Sequence, residues 1–360
     1  MSAVATPALD DEAGALERVG LRLRVIDRLR NYSLLAVLLA LPVYYTVHDL
    51  VVTGSLSRIG NNLVDGLSNG AIWALIALGY TLVYGIIELI NFAHGDVSMI
   101  GAFTAVGFFG TLGLSAGMGV VGLVLGILLT LVVASLATGA LGVLIERVAY
   151  RPLRNAPRFA PVLTAVGMSF ILQNVGLLWL GPTPVSVPDL IGSATPLIHL
   201  GGVVISRGDT LALLLPIPLL LALSYFVERT RLGRAMRASA QNPEAARLMG
   251  INVDSTILVT FLIGGALAGA GGLIYALYQT TVWYFQGFTT GLIAFTAAIV
   301  GGIGSLKGAV VGGLLIGVIQ ALSDNRIGSD WTVVVVFAYL IAVIVLKPDG
   351  LFGERGRNAG

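Results

Sequence analysis

Apolar runs of about twenty residues alternate with short polar stretches from residue 33 to residue 347. A bilayer core of roughly 30 Å takes about 20 helical residues to cross. The pattern therefore predicts spans near 33–53, 61–83, 95–114, 117–146, 159–180, 209–228, 254–278, 288–304, 308–323 and 331–347. The eighth and ninth are short and separated only by "GSLKG", so they read equally as a re-entrant pair or two half-helices. The stretch 83–96 is neither plainly membrane nor plainly loop, which leaves the count between eight and ten.

Composition agrees with this pattern. Of the 360 residues 56% are hydrophobic and 11% charged, where a soluble domain carries about 25% charged residues. Such a chain cannot cover a water-facing surface, and it is expected to be an all-α, polytopic transmembrane helical bundle. Its 47 glycines suit helices that must approach closely without a hydrophobic drive between them. There is no cysteine, which excludes disulfides, thiolate metal sites and a thiol nucleophile. The three histidines, His48, His94 and His199, are scattered, so no metal site is expected.

Charge orients the bundle. With the N-terminus in the cytoplasm, ten spans place 18 Lys and Arg inside and only Arg58, Arg207 and Arg326 outside. The positive-inside rule thus puts both termini in the cytoplasm. Residues 1–32 form a basic leader, either an amphipathic surface helix or disordered, and residues 348–360 a cytoplasmic tail. The membrane domain covers 33–347, with a polar cytoplasmic loop at 229–253. The largest outer segment, 181–208, is rich in Pro and Gly; it is either a plain connector or a piece that closes the pathway or receives an outside partner.

Spans two to five and seven to ten flank the polar loop as two pseudo-repeated halves. Each half holds a Phe-Thr-Ala segment, "MIGAFTAVGF" (99–108) and "LIAFTAAIVGG" (292–302). Repeats of this kind are common in transporters, where the route lies between them.

Within the loop, "QNPEAARLMGI" (241–251) reads as a short capped helix, roughly 243–249. Asn242 is a favoured N-cap, Pro243 suits the first helical position, Glu244 complements the dipole, and Gly250 suits the position past the end. The spacing Glu-Ala-Ala-x-x-x-Gly, Glu244 to Gly250, resembles the cytoplasmic loop of ABC-importer permeases. Further stretches extend that likeness: "GLSNGAIWALIALGYTLVYGIIELINFAHGD" (66–96), "ERVAYRPLR" (146–154), "SFILQN" (169–174), "GRAMRASAQNPEAARLMGIN" (233–252), "AFTAAIVGGIGSLKGAVVGG" (294–313) and "KPDGLFGE" (347–354). Together they resemble the branched-chain amino acid ABC transporter permease family, in particular its LivH-type subunit, over most of residues 60–354. The first 60 residues look like an extension with an added span. Asp96, Glu88 and Lys307 depart from the family pattern, where Glu, a small residue and Pro respectively are usual.

The resemblance implies a permease subunit of an ABC importer in the bacterial inner membrane, moving branched-chain amino acids by alternating access. Its partners would be a second permease (LivM-like, or another copy), two cytoplasmic ATP-binding subunits and a periplasmic or extracellular binding protein. ATP would be bound by those partners, so this chain is expected to carry no cofactor and to be no enzyme. "GGIGSLKG" lacks the phosphate-cradling spacing, which agrees. The residues expected to couple to the ATPase are Arg234, Arg237, Asn242, Glu244, Ala245, Ala246, Arg247 and Gly250. Candidates for lining the pathway are Tyr80, Tyr84, Asn91, His94, Gln173, Asn174, Thr280 and Thr296. Polar groups at membrane depth are costly and usually functional, although "NFAHGD" (91–96) reads first as a structural helix break. Nothing points to nucleic acid. Import of urea, short amides or another small polar solute is a competing substrate assignment; an ion-coupled secondary transporter is a competing class that would place ionisable groups in mid-span.

Overall fold

The computed structural model describes residues 32–353 apart from 53, 55, 155 and 158, so the expected leader and nearly all of the tail lie outside the described residues. Helix α1 spans Tyr32–Val52. It is followed by α2 (Leu56–Ile87), α3 (His94–Leu112), α4 (Val120–Ile145), α5 (Phe159–Leu180), α6 (Arg207–Leu214), α7 (Pro216–Arg229), α8 (Arg231–Gln241), α9 (Pro243–Leu248), α10 (Val253–Gln279), α11 (Gln286–Gly301), α12 (Leu306–Ile327) and α13 (Thr332–Leu346). Among the described residues there are also four short strands: β1 (Val185–Ser186), β2 (Pro196–Leu200), β3 (Val203–Ser206) and β4 (Thr281–Val282).

Among the described residues nine helical segments are long and apolar enough to cross a membrane, with α6 and α7 together forming one of them. The tenth expected span is α11, which has only 16 residues. Its neighbour α12 has 22. The ambiguous pair is therefore one short helix and one full span, because α11 starts well inside the bundle.

The core is a set of close antiparallel helix pairs built on small residues. Helix α2 lies along α12, and α10 along α4. A Cβ added at Gly313 would stand 2.5 Å from the Cα of Ala74, and one at Gly70 would stand 2.7 Å from the Cα of Leu314. Only glycine allows this separation, and the backbones gain the dispersion contact that drives association in lipid. Trp73 is buried between the same helices and donates its Nε1–H to Oε1 of Gln320 at 2.7 Å, which fixes their register.

The pairing repeats between the halves, as α2–α5 and α10–α13. The repeat is exact in one device. Glu88 and Thr280 are the two described non-glycine residues with positive φ, each at 52°, and each immediately follows a long helix, α2 or α10. Six residues later α3 begins at His94 and α11 at Gln286. The offset is 192 positions for Glu88 and Thr280 (88 to 280), and it recurs for Gly95 and Gly287 and for Phe103 and Phe295. The Phe-Thr-Ala match is therefore one visible part of a structural repeat.

The two ends of the bundle differ. At the proximal end stand α8 and α9, the start of α12 and the end of α2. Here Arg154 pairs with buried Glu146 after α4 and with Asp254 of α10, the latter at 2.5 Å. At the distal end β1 pairs with β4 and β2 with β3, both antiparallel, so the Pro- and Gly-rich segment folds as short extended pieces. Helix α1 is only lightly covered, with 11% of its apolar window buried. It is held at the distal end through the buried Asp49, which pairs with Arg326 of α12 and lies 4.0 Å from Arg58.

Candidate functional site

The broken helices place polar groups in the bundle interior. His94 packs against Gly79 and against the ring of Tyr80, 4.6 Å between centroids. Gly79 lies eight residues before the end of α2, so α3 starts roughly 12 Å in from that end. Helix α11 starts at the same depth: the symmetry-equivalent glycines Gly95 and Gly287 face one another, and a Cβ at Gly287 would stand 2.6 Å from Asp96 Oδ1. Two helix N-termini thus meet inside the bundle, where irregular backbone is tolerated because protein surrounds it.

Beside that junction Ser169 of α5 donates to Asp96 Oδ2 at 2.5 Å, and Gln173, one turn further, donates its Nε2–H to Ser169 Oγ at 3.0 Å. Asp96 is fully buried. The chain of donors runs in one direction, from Gln173 through Ser169 to Asp96. Ser169 gives its proton to Asp96 and accepts from the Gln173 amide, which turns Gln173 Oε1 away from both. Ser169 and Gln173 line a small cavity of about 50 Å³ whose walls are Tyr80, Phe92, Val166, Phe170, Phe288, Gly291, Leu292 and Phe295. Tyr80, Tyr84 and Asn91 border a smaller hollow against Phe295, and Tyr150 donates to Asn91 Oδ1 at 3.2 Å.

Five of the expected pathway residues are therefore together: Tyr80, Tyr84, Asn91, His94 and Gln173. Three are elsewhere. Asn174 is exposed on the other side of α5 and donates to the carbonyl of Phe170. Thr280 lines a polar pocket at the distal end with Asp65, Asp209 and Gln320. Thr296 is fully buried and satisfies itself on the carbonyl of Leu292. The side chains of Asn174 and Thr296 thus bond carbonyls of their own helices. Ser169, Phe92, Phe288 and Phe295 were not among the residues expected to line the pathway, and Asp96 stood out in the sequence only as a departure from the family pattern and as part of the helix break at 91–96. The signal available there was the four-residue spacing of Ser169 and Gln173, which puts both on one face of α5.

The proximal end carries the second group. Helix α8 buries Gly233, Met236 and Ser239, a three-residue spacing that seats one face, and leaves Arg234 and Arg237 outward. Arg237 nonetheless donates back to the carbonyl of Val227, closing the turn from α7. Asn242 caps α9 by accepting from the N–H of Ala245 at 2.9 Å. At the other end the N–H of Ile251 bonds the carbonyl of Ala246 and that of Gly250 bonds Arg247, a Schellman motif with Gly250 at φ +81°. Ala246 alone is buried; Glu244, Ala245 and Arg247 are exposed. Leu248 and Met249 at the tip are 89% and 82% exposed. A groove of about 480 Å³ runs beneath, between Met236, Arg237 and Ala240 of α8, the last turn of α2, and the α11–α12 turn at Ile303–Leu306.

Comparison with known proteins places this architecture. Residues 62–344 match the family described as the branched-chain amino acid transport system / permease component. The high-affinity branched-chain amino acid transport system permease protein BraD of Pseudomonas aeruginosa is 41% identical over 298 residues, covering 81% of this chain and 95% of that protein. LivH of Escherichia coli is 40% identical over 297 residues, covering 81% of this chain and 94% of LivH. A probable LivH of Methanocaldococcus jannaschii is 29% identical over 293 residues, covering 78% and 88%. Helix α1 precedes the matched segment. With its multi-pass helical bundle, its inverted halves and this likeness over four-fifths of its length, the chain belongs to the branched-chain amino acid transport system permease family.

Proposed function

We propose that this chain is the membrane-embedded permease subunit of an ATP-driven importer of branched-chain amino acids, working with a second permease, two ATP-binding subunits and a substrate-binding protein. The observation that carries the reading is α9. It is a helix of six residues, closed at both ends by caps, that presents Leu248 and Met249 almost wholly to solvent. Apolar side chains held this far out on a rigid, capped stub mark a docking element, and the proposed socket is on the ATP-binding subunit. On this reading the proximal end faces the cytoplasm, the side on which the charge distribution puts most Lys and Arg.

The path of force follows from the contacts. Helix α9 is joined to α8, and α8 abuts the end of α2 and the α11–α12 turn across the proximal groove. Closure of the ATP-binding subunits would move α9 and, with it, the two elements that carry Tyr80 and Phe295. Nucleotide shifts the conformational equilibrium by its differential affinity for the closed state. The bundle's inverted halves suit such alternation between an outward and an inward opening.

The chain has no cysteine, so a single introduced thiol reports without interference. Leu248→Cys is expected to cross-link to the ATP-binding subunit through a short bifunctional reagent. Leu178→Cys, 87% exposed on α5, is expected not to. Equal or absent cross-linking at the two positions contradicts the docking assignment.

A further inference from the structure

We infer that the cavity between α5 and α11 is a side-chain-reading station within the permease: it takes the branched apolar side chain of the amino acid while Gln173 Oε1 accepts from its ammonium. This rests on the reading of the chain as an amino acid permease, and it adds a selectivity step inside the membrane to that reading.

Size is the first argument. A water-sized group needs about 10–15 Å³ of such space, so about 50 Å³ holds three to five of them. That matches the carbons of an isopropyl or isobutyl group and is too small for a benzyl group or a whole amino acid. The walls are the second. Four phenylalanines, Phe92, Phe170, Phe288 and Phe295, give an apolar surface, and Tyr80 is held against Phe295 with centroids 5.9 Å apart. Their faces also favour a nearby cation.

Polarity is the third argument. Gln173 donates through Nε2 to Ser169, which donates to buried Asp96, and this leaves Gln173, which lines the cavity, with its Oε1 as the acceptor still to be used. Asp96 Oδ1 is itself buried without a hydrogen-bond partner. An acceptor beside an apolar slot matches an ammonium beside an aliphatic chain. In this scheme Gln173 contacts the ligand, and Ser169 and Asp96 are positioning residues.

The test uses the complete importer, reconstituted with its binding protein and ATP-binding subunits, and measures turnover of leucine, alanine and phenylalanine. Val166→Trp fills the cavity from a half-exposed position; it is expected to lower the leucine-to-alanine turnover ratio tenfold or more. Val166→Ala and Phe295→Ala enlarge the cavity and are expected to raise the phenylalanine-to-leucine ratio at least fivefold. Gln173→Leu is expected to lower turnover of all three at least tenfold with the binding protein's affinities unchanged. Ser169→Ala should lower turnover without changing the ratios, and Ser169→Thr, which keeps the hydroxyl, should retain it. The ratios are independent of how much protein assembles, and the enlarging variants decide the matter if Val166→Trp does not assemble. Ratios within twofold of wild type in the Val166 and Phe295 variants overturn the inference. If the wild-type importer pumps no amino acid at all, the function proposed above falls as well.

Discussion

Truncation of Leu248 and Met249 to alanine separates docking from folding. Both side chains are over four-fifths exposed, so their loss costs the isolated permease at most about 0.5 kcal/mol. Each would contribute roughly 1.5–3 kcal/mol if fully buried in a partner's groove. Allowing for the methyl that alanine keeps, the double variant loses on the order of 3 kcal/mol of docking free energy, about a 150-fold weaker association. The assay is binding of the purified ATP-binding subunit to permease in detergent, alongside thermal unfolding of the permease. The expected result is a large loss of affinity with an unchanged melting temperature. Affinity within threefold of wild type refutes the idea that α9 plugs into the ATPase; a parallel fall in melting temperature shows instead that the tip supports the fold.

Gly250→Val tests the end of the same helix. Nothing lies within 4 Å of a Cβ added there, so the effect is conformational, about 1–2 kcal/mol for an L-residue held left-handed; ATPase docking should weaken roughly tenfold, and Gly250→Asn, which tolerates that conformation, should restore most of it. Asp49→Ala leaves Arg326 without its buried carboxylate, a loss of the order of 3 kcal/mol, read as a fall of several degrees in melting temperature; Asp49→Leu with Arg326→Met should recover it. Reporters fused after Gly360 and inserted at Gly201 should read cytoplasm and outside respectively, and the reverse pattern would overturn the orientation.

The spans and α9 were legible because their causes are local. Twenty apolar residues specify a crossing, and Asn242, Pro243 and Gly250 specify the ends of one short helix through bonds no more than five residues long. The depth at which α3 and α11 begin was not legible. It depends on positive φ at Glu88 and Thr280, which neither residue type advertises, and on glycines meeting 192 positions apart. The cavity chemistry was missed for the same reason: Asp96 and Ser169 are 73 residues apart, and hydrogen-bond direction arises only when they meet. Thr296 drew attention as a polar residue in a span, and the structure adds that its hydroxyl bonds the carbonyl one turn back. The exposure of Leu248 and Met249 was equally hidden, because sequence alone does not say which side of a six-residue helix faces the bundle.

The most direct test of the account is uptake of radiolabelled leucine into proteoliposomes holding this chain with its partner permease and ATP-binding subunits, with loaded binding protein outside and ATP inside. Concentrative uptake that requires ATP and is lost in the Leu248→Ala, Met249→Ala variant is the predicted result. Leucine uptake that proceeds without ATP or without the ATP-binding subunits, driven by an ion gradient, would contradict it.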